Sequence, residues 1–414
     1  MVILSSELAW LSVLAWIFLV WIHRMAWISS FRKNNPPLKP VNLVETQNFA
    51  SLHGLLPKIS IIIPAKNEEK NIANCLRHLS MQNHPHYEII VVDDRSTDET
   101  SEILKNFILG VTAGGAPHGR AVHDSSTTST HGADRWQDPQ NEILQNLKII
   151  RVEKLPEGWT GKNHAMFVGS KAAQGDWILF TDADTTHQPE SLLTAVTCAL
   201  ERKIDFLTLA PGTESKSFWE KTVQPLAISS LALWFRSDKV NDAGSQITLA
   251  NGQFILVRKQ AYESVGGNES VKSEVIEDVE LAKKVRSAGY RVQFLDGTLL
   301  YSTRMYTSLK EIHTGWTRIF TYLFNKNIPA ILHKIFLFLF FSSLPFFVFI
   351  AESILGLSSS VSFSQTLCLA SGFLCFTILL ARFFGNRALK SDARYAVWHL
   401  LGSLIMIWIL FSCL

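Results

Sequence analysis

Residues 58–64 read KISIIIP and residues 88–94 read EIIVVDD, two short runs rich in β-branched side chains. Runs of this length and composition predict buried parallel strands, the first ended by proline and the second by two acids. The intervening residues 68–82 predict a helix with Asn67 as its N-cap, and Asp98 begins a further helix-like stretch. Strand alternating with helix predicts an α/β fold built on a parallel, doubly wound sheet.

The alternation is interrupted at residues 110–146, which are rich in Gly, Ser, Thr and His and have few side chains to bury. This composition predicts an exposed, mobile insertion with no role in the chemistry. Three histidines fall within it, at His118, His123 and His131, and a metal-binding tract is the alternative. Their irregular spacing favours the idle loop. A strand-like run resumes at residues 147–152.

Composition excludes several classes of protein. The chain has 414 residues, enough for two or three structural units, and a formal net charge of +3. The positive charge is dispersed rather than gathered into a stripe, which excludes a nucleic-acid partner. The five cysteines lack CxxC pairs and regular histidine ligand spacing, so neither a disulfide framework nor a zinc site is predicted.

Hydrophobic residues are concentrated at the two ends of the chain. Residues 8–28 form a Trp-rich apolar stretch long enough to cross a bilayer core of about 30 Å. A cleaved signal peptide is the weaker alternative, because no basic segment precedes the stretch and no A-x-A-like site follows it. Three more candidate membrane helices lie at residues 333–355, 363–383 and 395–414, and the first of them could begin near Ile328.

These segments divide the chain into an N-terminal transmembrane anchor at 1–30, an α/β domain at 57–325 and a C-terminal transmembrane region at 328–414. Basic residues follow the first segment (Arg32, Lys33, Lys39) and separate the third from the fourth (Arg382, Arg387, Lys390, Arg394). The loop at 353–362 has no Lys or Arg. With an even number of crossings, the positive-inside rule predicts that the α/β domain faces the cytoplasm and both termini face the opposite side. We therefore expect an integral protein of the cytoplasmic membrane.

Acidic residues follow two of the predicted strands. Asp93 and Asp94 end the second strand, and Asp182 and Asp184 follow the apolar run at 177–181. In an open parallel sheet, ligands bind at the carboxyl ends of the strands. Two carboxylates at i and i+2 point to the same side and suit Mg²⁺ or Mn²⁺, with phosphate oxygens and water completing the shell. A polar turn is the alternative for a D-x-D by itself, and the second acid pair favours the metal site.

Another acid pair, Glu277-Asp278, precedes a helix-like stretch that ends at Gly289. By itself, Asp278 is most simply explained as the N-cap of that helix. A catalytic base is compatible with this position, because a helix N-terminus presents a carboxylate at the edge of a cleft. The sequence leaves both roles open.

Five segments in this order, IIIPAKNEE, VVDDRSTDET, GWTGKNHA, FTDADT and IEDVELA, resemble the family 2 glycosyltransferases of the GT-A fold. The resemblance covers about residues 58–320, with 110–146 as an extra insertion. The terminal apolar segments resemble the membrane-bound branch that acts on lipids, and GWTGK and RMY are similar to hopene-associated and carotenoid glycosyltransferases. The resemblance implies a Rossmann-like, mostly parallel sheet and a metal-dependent, inverting transfer of a sugar from a nucleotide-sugar donor to a lipid or lipid-linked acceptor.

The same resemblance implies roles for individual residues. Asp182 and Asp184 would be the D-x-D pair, with Asp184 more directly on the metal, and Asp278 would be the base that deprotonates the acceptor hydroxyl. The donor-binding residues would be Pro64, Glu68, Asp93, Asp94, Lys162, Asp182 and Arg318. For Lys162, a contact with the phosphates and a surface lysine on a turn are both open.

One departure from the family concerns residues 313–318, which read HTGWTR. Processive members carry a Q-x-x-R-W run at the corresponding place; here the Gln is missing and Trp and Arg occur in the opposite order. This disfavours a processive polysaccharide synthase, the alternative among enzymes. Trp316 is either an acceptor platform or a membrane-interface anchor, and Arg318 and Arg304 are candidate phosphate contacts. A non-catalytic nucleotide-binding membrane scaffold is the alternative from another class, disfavoured because every acid that the chemistry needs is present.

Overall fold

A computed structural model describes residues 36–41, 56–108, 146–357 and 364–414, apart from Arg236, Ala243 and Gln246, together with Val13. The predicted N-terminal anchor, except for Val13, lies outside the described residues. So does the predicted insertion at 110–146, except for Asn146.

Ten strands occur in the described part of the chain: β1 (Ile59–Ala65), β2 (Tyr87–Asp94), β3 (Leu147–Val152), β4 (Trp177–Thr181), β5 (Thr185–His187), β6 (Phe206–Ala210), β7 (Gly212–Thr213), β8 (Phe254–Arg258), β9 (Val292–Asp296) and β10 (Tyr301–Thr303). Seven of them form one sheet in the order β3-β2-β1-β4-β8-β6-β9. Every strand of this sheet runs in the same direction except β8, which is antiparallel to both neighbours. The prediction of a mostly parallel α/β sheet is confirmed.

Alternate side chains of the central strands enter two separate cores, one on each face of the sheet. Ile61 and Ile63 of β1 lie in the first core, while Ile62 lies in the second. All three are fully buried. The continuous apolar run that predicted β1 is explained by this, because a strand covered on both faces has no polar side to alternate with.

Helices cover both faces of the sheet and continue beyond it: α1 (Ile72–Leu79), α2 (Thr100–Ile108), α3 (Gly161–Ala172), α4 (Ser191–Glu201), α5 (Phe218–Trp234), α6 (Ser237–Val240), α7 (Lys259–Ser264), α8 (Glu277–Ser287), α9 (Leu309–Leu323), α10 (Ile328–Leu337), α11 (Leu344–Gly356), α12 (Gln365–Ala388) and α13 (His399–Phe411). Short 3₁₀ segments lie at Gly267–Val271 and Ala393–Trp398, and a π-helical segment at Phe338–Ser343 joins α10 to α11.

The prediction that Asn67 caps a helix starting at Glu68 is wrong. Helix α1 begins at Ile72, and Asn67 has a φ of 58°, in the left-handed region. Its Oδ1 accepts a hydrogen bond from the Thr97 amide at 2.8 Å, and its own amide donates to Ser96 Oγ at 3.0 Å. Asn tolerates this conformation better than most residues. Asn67 therefore joins the loops that follow β1 and β2, at the edge where ligands bind in such sheets.

Three helical segments at the C-terminal end of the described chain are long and apolar enough to cross a membrane: Ile328–Gly356, Gln365–Ala388 and Ala393–Phe411. They coincide with the predicted segments, and the first begins at Ile328, the earlier of the two starts considered. Several large side chains on α12 point away from the protein, among them Phe373, Phe376 and Leu369, each more than half exposed. An outer surface of this kind is typical of lipid contact.

A third core connects the α/β domain to these helices. It contains Val223 from α5, Trp316 and Phe320 from α9, and Met406 from α13, all buried. At Gly402 of α13, an added Cβ would lie 2.9 Å from a carbonyl oxygen of α5, so the two backbones meet there. Because Trp316 and Phe320 of α9 share this core with Met406 of α13, one side of the amphipathic helix α9 packs against the apolar C-terminal helices.

Candidate active site

The D-x-D turn follows β4, and a cluster of buried polar side chains, Thr181, Thr185 and His187, packs against it. The Thr185 hydroxyl donates to the carbonyl of Asp182 at 2.7 Å and closes the turn. His187 Nε2 lies 3.0 Å from Thr181 Oγ1 and 3.1 Å from Thr185 Oγ1, and its ring stacks on Tyr301. Burial lowers the pKa of His187 to about 3, so the ring is neutral and serves as a fixed hydrogen-bonding unit. These contacts fix the backbone that carries the two carboxylates.

The two D-x-D carboxylates differ in their surroundings. Asp182 is one quarter exposed and pairs with Lys162, whereas Oδ1 of Asp184 is buried without a hydrogen-bond partner. Burial, the Asp182 charge and Glu68 together raise the pKa of Asp184 to about 7. A buried, unsatisfied carboxylate oxygen beside a second acid is a favourable environment for a hard divalent cation.

These two acids fit Mg²⁺ or Mn²⁺ as part of a coordination shell. No group of three or more His, Cys, Asp or Glu side chains that could hold a metal occurs among the residues that the structure describes. Mg²⁺ in phosphate-transfer sites is held by one or two carboxylates, with substrate phosphates and water as the other ligands. The donor set at Asp182 and Asp184 therefore suits a metal that arrives together with a diphosphate.

Lys162 lies in the first turn of α3, a helix whose N-cap is Thr160. Its Nζ is 2.8 Å from Asp182 Oδ1 and 3.2 Å from Glu277 Oε1. Burial alone would lower the pKa of Lys162, but Asp182 and Glu277 raise it well above its usual value, so the ammonium is charged. Of the two environments considered for this lysine, the structure has it between two carboxylates rather than on an isolated surface turn.

Asp278 is the second residue of α8, and Ile276 occupies the N-cap position. Its Oδ2 accepts a hydrogen bond from the Gly252 amide at 2.7 Å, and its Oδ1 accepts one from the Val279 amide at 2.8 Å. Burial, followed by the Glu277 charge, raises the pKa of Asp278 to about 7. Its carboxylate therefore links the first turn of its own helix to the loop before β8. The prediction that Asp278 is the N-cap of this helix is wrong, because the helix begins one residue earlier, at Glu277.

Gly252 marks the point where these groups converge, and nothing in the sequence pattern singled it out. A Cβ added there would lie 3.0 Å from Lys162 Nζ, 3.4 Å from Asp278 Oδ2 and 3.5 Å from Glu277 Oε1. Residues from the turn after β4, from α3, from α8 and from the loop before β8 thus lie within a few ångströms of one another. The predicted residues Asp182, Lys162 and Asp278 are brought together here.

The acids at the end of β2 have different partners. Asp93 accepts hydrogen bonds from the Ser96 amide at 3.0 Å and from the Ser101 hydroxyl, so both of its oxygens are engaged in the β2–α2 loop. Asp94 accepts two hydrogen bonds from the guanidinium of Arg95, at 2.8 and 3.0 Å. A Cβ at Gly161 would lie 2.3 Å from Asp94 Oδ2. Asp94 is therefore buried against the start of α3, next to the residue that precedes Lys162.

The remaining predicted donor residues at β1 lie at the same edge. Pro64 is half-buried near the end of β1, beside Val92 of β2. The Glu68 amide donates to Thr100 Oγ1 at 2.7 Å, and its carboxylate accepts from Asn71 at 2.9 Å. Burial raises the pKa of Glu68, and the Asp182 charge adds to this effect. Glu68 is thus close enough to the D-x-D turn to interact with it electrostatically.

Tyr306 lies near the D-x-D turn, and the sequence alone did not identify it. Strand β10 pairs with β5, with Thr303 opposite Thr185, so the segment after β10 emerges beside the D-x-D turn. Burial raises the pKa of Tyr306, with Arg318 acting in the opposite direction and Asp184 adding to the rise. A Cβ at Gly315 would lie 2.1 Å from Cζ of Tyr306. The Tyr306 ring therefore packs on α9 at the face that carries Arg318, within electrostatic range of Asp184.

Two predicted contact residues lie elsewhere. Trp316 is 2% exposed, sits in the third core and donates through Nε1 to Gln224 Oε1 at 3.1 Å. Either role considered for it, acceptor platform or interface anchor, needs an exposed ring, and this indole offers none. Arg304 donates from Nε and Nη2 to the carboxylate of Glu220, at 2.8 and 3.1 Å. Its guanidinium is thus already committed to a fully buried carboxylate.

We expect Arg304→Met to destabilise the protein. Burial alone would raise the pKa of Glu220, but hydrogen bonds from Arg304 and Ser217 lower it to about 2. Removing the cation leaves the buried Glu220 charge without its main partner, which should lower the free energy of unfolding by about 2 kcal/mol. The loss should be present above pH ~4.5 and shrink as the pH falls towards 2, because protonated Glu220 needs no counter-charge. Thermal unfolding of the full chain in detergent, followed across pH, measures it.

Arg394→Met is the matched control for this measurement. Arg394 pairs with Asp392 at 2.9 Å but is 87% exposed, and exposed pairs contribute little. Its unfolding temperature should stay at the wild-type value. Arg304→Met with unchanged thermal stability and weakened donor binding would instead support the phosphate contact that the sequence predicted.

Comparison with known proteins adds a family and a fold. The sequence model of the family described as glycosyl transferase family 2 matches residues 60–113. The sequence model of the family described as glycosyltransferase like family 2 matches residues 140–318. The 4,4'-diaponeurosporenoate glycosyltransferase of Staphylococcus aureus is 26% identical over 310 residues, which are 74% of this chain and 70% of that protein. A mannosyltransferase from Pyrobaculum calidifontis, solved in complex with GDP-Man and Mn²⁺, superposes with a TM-score of 0.50 at 17% identity. That match covers 95% of this chain and 99% of the other, and it shows a shared fold.

Proposed function

Because this chain is a family 2 glycosyltransferase with a GT-A fold, we propose that it is a metal-dependent, inverting enzyme acting on a lipid or lipid-linked acceptor. The sugar would come from a nucleotide-sugar donor, and the reaction would take place at the cytoplasmic face of the cytoplasmic membrane. The observation that carries the proposal is the convergence of Asp182, Lys162 and Asp278 around Gly252.

The donor would bind at the carboxyl ends of β1, β2 and β4. Asp182 and Asp184 would hold Mg²⁺ or Mn²⁺, which when bound offsets the negative charge that builds up on the departing diphosphate. The other residues proposed for donor binding are Pro64, Glu68, Asp93, Asp94, Lys162 and Arg318. Arg318 is supported by its place beside Tyr306, whose side chain is within electrostatic range of the D-x-D carboxylates.

Asp278 would act as the base. An alcohol is a poor nucleophile until a positioned carboxylate removes its proton. The hydrogen bonds from Gly252 and Val279 fix the Asp278 carboxylate, and its raised pKa brings its proton affinity closer to neutral pH, where a general base is most effective. Attack from this side and departure of the diphosphate from the opposite side would invert the configuration at the anomeric carbon.

Two observations support a lipidic acceptor. The three long apolar helices and the third core hold the cleft close to the membrane. The relative named for diaponeurosporenoate supports an apolar acceptor of the carotenoid or hopanoid type. The basic residues at and between the facing ends of the second and third of these helices, Arg387, Lys390 and Arg394, support a cytoplasmic orientation by the positive-inside rule.

A transfer assay tests this function. The full chain in detergent is given Mn²⁺, a panel of nucleotide sugars and a bacterial lipid extract, and the lipids are examined by mass spectrometry. We expect one lipid class to gain the mass of a single sugar, and the gain to be abolished by a chelator. Lipid products that carry several added sugars would indicate a processive reaction in place of a single transfer. If no donor is hydrolysed and no donor gives a lipid product, the assignment is overturned.

A further inference from the structure

Lys162 occupies a position that a metal ion would have to share. Its Nζ is in contact with Oδ1 of Asp182 at 2.8 Å, one of the two acids proposed as metal ligands. A cation already in contact with that oxygen opposes the approach of a second one, because like charges a few ångströms apart repel each other. Binding of a divalent cation to Asp182 therefore has to displace the ammonium.

The cleft needs a positive charge when no metal is bound. The carboxylates that surround it belong to Glu68, Asp182, Asp184, Glu277 and Asp278. Burial, followed by the charge of neighbouring carboxylates, raises the pKa of Asp184 and Asp278, and in both cases the Lys162 charge acts in the opposite direction. The lysine thus offsets part of the repulsion among the acids, as a bound cation would.

The surroundings of Lys162 also provide a second position for its ammonium group. Its second carboxylate partner, Glu277 at 3.2 Å, lies on α8 next to Asp278 and is not among the proposed metal ligands. The absence of a side chain at Gly252 permits this close packing, since a Cβ there would lie 3.0 Å from Nζ and crowd the ammonium. A flexible four-carbon side chain can leave Asp182 while it keeps Glu277.

From these contacts we infer that Lys162 is a resident cation of the metal site, held on Asp182 in the metal-free protein and displaced towards Glu277 when a divalent ion binds. The inference rests on the proposed metal site at Asp182 and Asp184. Its consequence is that the protein binds metal weakly without a donor. A diphosphate lowers the penalty, because its negative charge attracts both the metal and the displaced ammonium.

Binding of Mn²⁺ to the nucleotide-free protein tests the inference without any enzymatic turnover. Free Mn²⁺ is measured by electron paramagnetic resonance during titration of the full chain in nanodiscs. Lys162→Met should bind Mn²⁺ about tenfold more tightly than the wild type, or more. Lys162→Arg, which keeps the positive charge, should stay near the wild type. The gain should disappear in the double variant Lys162→Met, Asp182→Asn.

Lys171→Met is the matched control. It removes the same charge from the same helix, about 13 Å further along its axis, and Lys171 lies over the ring of Phe167. Its Mn²⁺ affinity should equal that of the wild type. Equal or weaker binding by Lys162→Met would overturn the inference, as would the absence of binding by that variant. Sugar transfer by the same wild-type preparation is scored separately, so a failure of the lysine inference is distinguishable from a failure of the proposed function.

Discussion

Replacing Asp278 by asparagine should reduce sugar transfer by about 10²–10⁴-fold, the usual contribution of a positioned general base. Asparagine has nearly the same size and cannot take up the acceptor proton. Binding of the donor and of Mn²⁺ should stay within a few-fold of the wild type, because the D-x-D turn and Lys162 are unchanged. Initial rates at saturating donor, with nucleotide binding measured in parallel, separate the two effects.

The structural part that Asp278 plays must be measured beside its chemical part. Its two oxygens accept the Gly252 and Val279 amides, and an asparagine side chain has one acceptor oxygen in place of two. We therefore expect a small fall in thermal stability together with the large fall in rate. A variant that transfers sugar at close to the wild-type rate would contradict the base assignment and indicate an acceptor that arrives already ionised.

Replacing Asp184 by alanine should abolish the effect of metal on nucleotide binding. In the wild type, we expect Mn²⁺ to strengthen the binding of GDP or UDP, whichever the protein accepts, and a chelator to remove this gain. Without the Asp184 carboxylate, binding with Mn²⁺ and with chelator should be equal. Isothermal titration of both nucleotides under both conditions measures the difference.

The stability of Asp184→Ala supports the interpretation of that result. The raised pKa of Asp184 shows that its charge is unfavourable where it stands, so its removal should leave thermal stability unchanged or higher. Asp176→Ala is the matched control, because Asp176 precedes the opposite end of β4 and accepts a hydrogen bond from the Lys58 amide. It should keep the metal effect. A metal effect that survives in Asp184→Ala would remove this residue from the metal site.

The sequence predicted the sheet and its acids because both are local signals. The apolar runs of β1 and β2 follow directly from burial on both faces, and Asp182 and Asp184 stand where a strand ends. Only the packed chain shows that Lys162 pairs with Asp182 and with Glu277, which is 115 residues further along the sequence. The role of Gly252 was not predictable either, since its constraint comes from three side chains on two other elements, α3 and α8.

Three other residues show how tertiary structure overrides a local pattern. Asn67 has the composition of a helix cap, but a left-handed backbone and a hydrogen bond to Thr97 place it in a link between loops. Arg304 looked available for phosphate until its buried partner, Glu220, was visible in three dimensions. Trp316 fits an exposed aromatic by sequence, and the orientation of α9 puts it inside the third core.

Helix α9 belongs to two parts of the molecule at once. One side of it, with Trp316 and Phe320, is packed into the third core, and Gly315 supports the ring of Tyr306 beside the acids. The D-x-D site therefore keeps a fixed distance from the long apolar helices. For the lipid acceptor that we propose, the reactive end would have to reach this distance while the tail stays in the bilayer. Such an enzyme would select acceptors by the length of the segment that extends from the membrane surface to the reacting hydroxyl.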